Sequence, residues 1–221
     1  ERAQALIEIA HPDDRPDLVA AGIKQKILYS DQIFLAESAH LYPEEIATSH
    51  TFRNGTPVRF RAIRPSDEEE MRRLFYRFSD EAVYYRFFAP IKTMPHARMQ
   101  QYVNVDYRRV LSVVGLVGEP GSGHIVAEAR FAAHAEGPTA DVAFIVDEEY
   151  QGLGIATYLL RMLIRLASER GLEGFTADVL ASNTGMMKVF EKGGCPVRAR
   201  LEEGVYALSL SFDSSACVTD G

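Results

Sequence analysis

The chain has 221 residues, 47% hydrophobic and 25% charged, which suits one sizeable globular domain plus an appendage rather than a disordered or fibrous protein. Its net charge of −7 argues against a nucleic-acid partner and favours a basic, lysine-bearing one. The two cysteines, Cys195 and Cys217, show no metal-ligand spacing and read as reduced thiols of a cytoplasmic protein, while no apolar run approaches a membrane span or a signal peptide.

Residues 1–52 differ in character from the rest of the chain. Pro12 and Pro16 punctuate a short helical pattern that Gly22 breaks. Ile27, Leu28, Tyr29, Ile33, Phe34 and Leu35 would partly order a linker after it. Glu8-Ile9-Ala10-His11-Pro12 with Arg15-Pro16 is similar to the C-terminal end of the acetyl-CoA hydrolase/CoA-transferase family. That resemblance, with a start at Glu1 rather than Met, implies a piece of a fusion whose upstream domain is a CoA-transferase. The same residues also suit a helical extension packed on the main domain.

From residue 53 to 212 the pattern is that of one domain, and 213–221 read as a polar, flexible tail. Residues 56–62 alternate and predict a first strand, with Pro57 at its start. Ser66 and Glu69 have the separation of a capping box, so a helix should run to about Phe78 on Met71, Leu74 and Phe75. Tyr84-Tyr85-Arg86-Phe87-Phe88 reads as a buried aromatic cluster, and Pro95 opens a further helix to Val103. Strands are predicted over Val110–Val117 and Ile125–Phe131, the second carrying Glu128 and Arg130 on the side away from Ile125 and Phe131. After a fourth strand and a long helix, a strand runs over Glu173–Leu180 and a helix over Asn183–Lys192. Residues 196–202 and 205–211 close a hairpin about Glu203-Gly204. Antiparallel strands feeding a single strand–turn–helix unit argue an α+β fold, a mixed, mostly antiparallel sheet flanked by helices.

The stretch around which these elements gather is Asp141 to Ala156. Val142, Phe144 and Val146 alternate as a strand, and Asp147 to Glu149 come next as a turn. Gln151-Gly152-Leu153-Gly154-Ile155-Ala156 then opens a helix on Ile155, Leu159, Leu163, Leu166 and Ala167 that Gly171 stops. Free first-turn N–H groups, the helix dipole and two residues without Cβ together form a seat for an anion. No Walker lysine is present after it, and the glycine spacing does not fit a dinucleotide fingerprint. A turn that merely joins strand to helix fits the same residues. Gln-x-x-Gly-x-Ala resembles the pyrophosphate loop of the GNAT superfamily of acyl-CoA-dependent N-acyltransferases. The order of elements over residues 56–212 matches that fold, and Arg86-Phe87-Phe88 resembles the branch of bacterial protein lysine acetyltransferases called Pat.

The resemblance implies acetyl-CoA as acyl donor, an amine acceptor, direct transfer in a ternary complex and no metal. The backbone of Phe144, Ile145 and Val146 would pair with the pantetheine arm, the amides of Gln151, Gly152, Leu153, Gly154, Ile155 and Ala156 would hold the pyrophosphate, and Asn183 would bond the cofactor. An amine must lose its proton before it attacks, so a carboxylate is required near the thioester, acting directly or through water. Asp141 stands where Pat-like members keep a glutamate; Asp178 matches the acid of members that acetylate protein N-termini. Either acid could equally be a solvated strand-end residue or a partner of Arg130 or Arg86. Glu128 and His134 are weaker candidates. Leu153 replaces a common Arg or Lys, and Phe190 replaces the tyrosine that protonates the leaving thiolate in many relatives. The expected function is acetylation of a protein lysine. The alternatives are a small-molecule amine acetyltransferase and a non-catalytic acyl-CoA-sensing domain.

Overall fold

In the computed structural model, residues 2–11, 14–32, 42–119 and 121–212 are described. The predicted alternation becomes a single 8-stranded sheet. In chain order its strands are β1 (Thr48–Thr51), β2 (Pro57–Ala62), β3 (Val110–Val117), β4 (His124–Ala133), β5 (Thr139–Val146), β6 (Gly174–Leu180), β7 (Val197–Glu202) and β8 (Val205–Ser211). They lie in the order β1-β2-β3-β4-β5-β6-β8-β7, and β5 with β6 is the parallel pair among antiparallel neighbours. The β7–β8 turn works because Glu203 and Gly204 both take positive φ, 48° and 83°, which suits the right-handed twist of a tight hairpin.

Seven α-helices flank the sheet among the described residues: α1 (Arg2–Ile9), α2 (Arg15–Lys24), α3 (Glu68–Arg77), α4 (Asp80–Phe87), α5 (His96–Val103), α6 (Ile155–Ser168) and α7 (Thr184–Glu191). None is long and apolar enough to cross a membrane. One sheet face carries Phe60, Phe131 and Phe144 toward α6 and α7. Tyr158 of α6 stacks on Phe60 with centroids 4.9 Å apart, and Phe190 of α7 meets Phe144 edge-on at 6.0 Å. Leu159 and Leu163 of α6 are 0% exposed, and burying each contributes about 1.5–3 kcal/mol. The opposite face carries Ser112, Glu128 and Arg130 toward α5.

Several expectations are corrected by packing. The sheet begins upstream of residue 53: β1 pairs with β2, and Ile46 and Phe52 join the core. Every residue of β1 is exposed, so no burial pattern announced it. The capping box at Ser66 and Glu69 is absent, and α3 starts without a side-chain cap bond. Asp67 instead accepts the Arg64 backbone N–H at 2.8 Å and both guanidinium nitrogens of Arg61 at 2.6 Å, a charge-assisted fork stronger than a hydroxyl cap. The expected aromatic cluster is mostly outside the core: Tyr84 is 44% exposed and Phe88 39%, while Phe87 packs on Phe75 at 6.1 Å. Cys195 is disulfide-bonded rather than a reduced thiol. Cys217, Pro12, residues 33–35 and the tail at 213–221 lie outside the described residues.

Candidate active site

The parallel pairing of β5 with β6 covers just Thr139↔Gly174, Ala140↔Phe175 and Asp141↔Thr176. Beyond that point each strand keeps its other neighbour, β5 holding β4 as far as Val146 and β6 holding β8 as far as Leu180. The two strands therefore part and open a cleft of about 760 Å³. Along one wall the edge of β5 from Val142 to Val146 has no strand partner, so its main-chain groups, apart from the Val146 carbonyl that Gln151 bonds, can bind an extended ligand. The other walls come from α4, through Ala82, Tyr85, Arg86 and Phe88, and from α7.

The turn at the wide end is held in place before it reaches the glycines. Asp147 is ion-paired with Arg77 at 2.7 Å and accepts the Glu149 N–H at 3.2 Å. The Ser79 hydroxyl donates to Glu148 at 2.5 Å, and Gln151 Nε2 donates back to the Val146 carbonyl at 3.1 Å. Gly154 then takes φ 96° as the residue capping α6. An added Cβ there would meet nothing within 4 Å, so the backbone angle, not space, demands glycine. Gly154→Ala is expected to lower stability by about 1–2 kcal/mol, read as a lower urea midpoint at unchanged slope.

Nearly all the residues singled out from sequence are brought together. Phe144, Ile145, Val146, Gln151, Gly152, Gly154, Ile155, Ala156 and Asn183 line the cleft, as do Asp141 and Asp178. Leu153 does not: its side chain packs against the core. Asn183 Oδ1 is engaged, accepting the Met186 N–H at 3.0 Å as the cap of α7, which leaves its NH₂ for a ligand. Phe190 is 1% exposed beside Phe144. Tyr85 of α4 and Tyr150 of the turn after β5 also reach the cleft; no motif pointed to either, and Tyr85 arrives there through the docking of α4.

Asp141 sits where the pairing ends, with its side chain 69% exposed. The Thr176 hydroxyl donates to its Oδ1, and His134 Nε2 lies 3.0 Å from the same oxygen. Neither arginine is its partner. Arg130 pairs with Glu128 at 2.6 Å, and Arg86 donates to the Tyr102 hydroxyl at 3.1 Å. Asp178 is an exposed residue of β6.

Glu128 lies on the side of β4 away from Ile125 and Phe131, as expected, and is 0% exposed because α5 covers it. It accepts from Ser112 at 2.6 Å, from Arg130 and from Tyr102 at 2.8 Å. The Arg130 guanidinium also stacks 3.4 Å from the Tyr102 ring centroid. Burial pushes the Glu128 carboxyl up, but Arg130, Arg86 and the two hydroxyl donors outweigh it and hold the group below the usual carboxylate range. Burial, aided by Glu128 and opposed by both arginines, raises the Tyr102 phenol. Arg86 links this buried network to the cleft wall, and its Nε is buried without a hydrogen-bond partner among the described residues.

A model of the acetyltransferase (GNAT) family matches residues 68–194. Acetyltransferase PA5475 of Pseudomonas aeruginosa is 32% identical over 133 residues, covering 60% of this chain and 72% of that protein. Acetyltransferase Pat of Mycolicibacterium smegmatis is 33% identical over 143 residues, 64% of this chain but 42% of Pat, so the chain spans less than half of that relative. The GNAT domain of S. lividans PAT is similar in structure, with a TM-score of 0.70 at 31% identity, covering 77% of this chain and 99% of that domain.

Proposed function

The chain belongs to the GNAT acetyltransferase family, and from that premise we propose that it moves an acetyl group from acetyl-CoA to a protein lysine by direct transfer in a ternary complex. The observation that carries this reading is the strand split with Asp141 at its vertex and a glycine turn at its open end. The pantetheine arm takes the place of the missing strand along Phe144–Val146. The amides of Gln151–Ala156 receive the pyrophosphate, and the Asn183 NH₂ donates to the cofactor. Asp141 accepts a proton from the lysine ammonium, directly or through one water. The neutral nitrogen attacks the thioester carbon, the C–N bond forms, the C–S bond breaks, CoA leaves as thiolate, and the surplus proton on nitrogen passes to that thiolate or to water. Likeness to Pat and the acidic balance of −7 support a basic protein acceptor over a small amine. Acetyl-CoA as donor also supports a cytoplasmic setting.

Phe190 favours one rival, a domain that senses acyl-CoA without turning it over, because no phenol stands where many relatives keep their proton donor. A thiol-detection assay of CoA release separates the two. With acetyl-CoA and a panel of lysine-bearing proteins and small amines, release that depends on the lysine protein is the expected result. Release with small amines alone would move the acceptor class. Tight acetyl-CoA binding by calorimetry with no release for any amine would leave the sensor.

A further inference from the structure

We propose that His134 is a positioning residue for Asp141: it fixes the carboxylate at the cleft vertex. The inference rests on the acetyl-transfer reading above. Its basis is a chain of polar contacts that crosses three strand positions. His134 comes directly after β4, and its backbone N–H is bonded to the Thr139 carbonyl at 3.0 Å, which ties it to the start of β5. Its Nδ1 lies 2.9 Å from Thr139 Oγ1, and its Nε2 lies 3.0 Å from Asp141 Oδ1. Thr176 of β6 donates to that same Oδ1, and its Oγ1 lies 3.5 Å from His134 Nε2. Asp141 is mostly exposed and has no arginine partner, so these two neighbours are what orient it.

An imidazole with its proton on Nε2 donates to Oδ1 while Nδ1 accepts from the Thr139 hydroxyl. Asp141 is then oriented and keeps its second oxygen for the amine proton.

On β4, Arg130 is held by Glu128. Arg108 and Arg109 precede β3, where the Arg109 carbonyl accepts the Ala133 N–H at 2.7 Å. On β6, Asp178 lies two positions beyond Thr176, and the register continues through β8 to Arg198 and Arg200 on β7. Arg200 is itself paired with Glu202 at 2.8 Å.

The test compares wild type with His134→Gln, measuring kcat/KM for the amine and KM for acetyl-CoA. Loss of an orienting partner typically costs about 10–100-fold, as is seen for the residues that hold metal ligands. The expected result is a loss of that size in kcat/KM for the amine with an unchanged KM for acetyl-CoA. A variant that keeps the wild-type kcat/KM overturns the proposal while leaving acetyl transfer intact. Independently of turnover, the His134 ring-proton signals are expected to shift in Asp141→Asn. Unchanged signals overturn the proposal even if wild type releases no CoA, an outcome that sinks the acetyl-transfer reading separately.

Discussion

Asp141→Asn is expected to lower CoA release at saturating amine by about 10²–10⁴-fold, the range lost with a positioned general base. Acetyl-CoA affinity should remain close to wild type. Asp141 lies at the closed end of the cleft, and Val146, where β5 meets the anion turn, is five positions further along the strand, about 17 Å at the usual rise. Asparagine keeps the size of the side chain and its ability to accept from Thr176, so the change isolates proton acceptance from shape. Asp178→Asn is the companion measurement. If Asp178→Asn collapses turnover while Asp141→Asn spares it, the base is Asp178. If both variants turn over normally, the proton leaves to water and neither carboxylate is the base.

Glu128→Gln is expected to have the largest effect on stability, about 3–5 kcal/mol, because it leaves a buried guanidinium without its counter-charge. For a chain of this length that corresponds to a fall in midpoint temperature of roughly 6–20 °C. Calorimetry or circular dichroism checks it, and an unchanged midpoint would show that the Arg130–Tyr102 stack alone satisfies the site. The pH dependence of stability comes from the same group. Its folded-state pKa is depressed below the unfolded value, so its contribution is complete above the unfolded carboxylate range near ~4.3 and is lost as pH falls through the folded value. Acid unfolding of the wild type should accordingly release Tyr102 and Arg86 together, and with them one wall of the cleft.

Most of the strand order was legible because β2 and β5 bury alternate residues for most of their length, and β3 is apolar almost throughout. The glycine turn was legible for a different reason. Gly154 needs a positive φ, and an anion seat needs bare amides at a helix start, so local chemistry alone marks it. β1 was not legible, since Thr48-Ser49-His50-Thr51 is exposed throughout and is a strand only because β2 offers it an edge. The aromatic run at 84–88 misled in the same way: its composition suggests burial, but docking of α4 leaves Tyr84 and Phe88 outward.

By itself, then, the sequence determined the order of most elements from β2 onward, the α+β class and the location of the anion turn, because these depend on periodicity and on residues within a few positions of one another. The tertiary structure decided which acid stands at the vertex, that His134 and Thr176 rather than an arginine hold it, and that Glu128 is a buried structural charge. Each of those facts joins residues from different strands or from a strand and a helix. Contacts of that kind are set by register and docking, which no local pattern encodes.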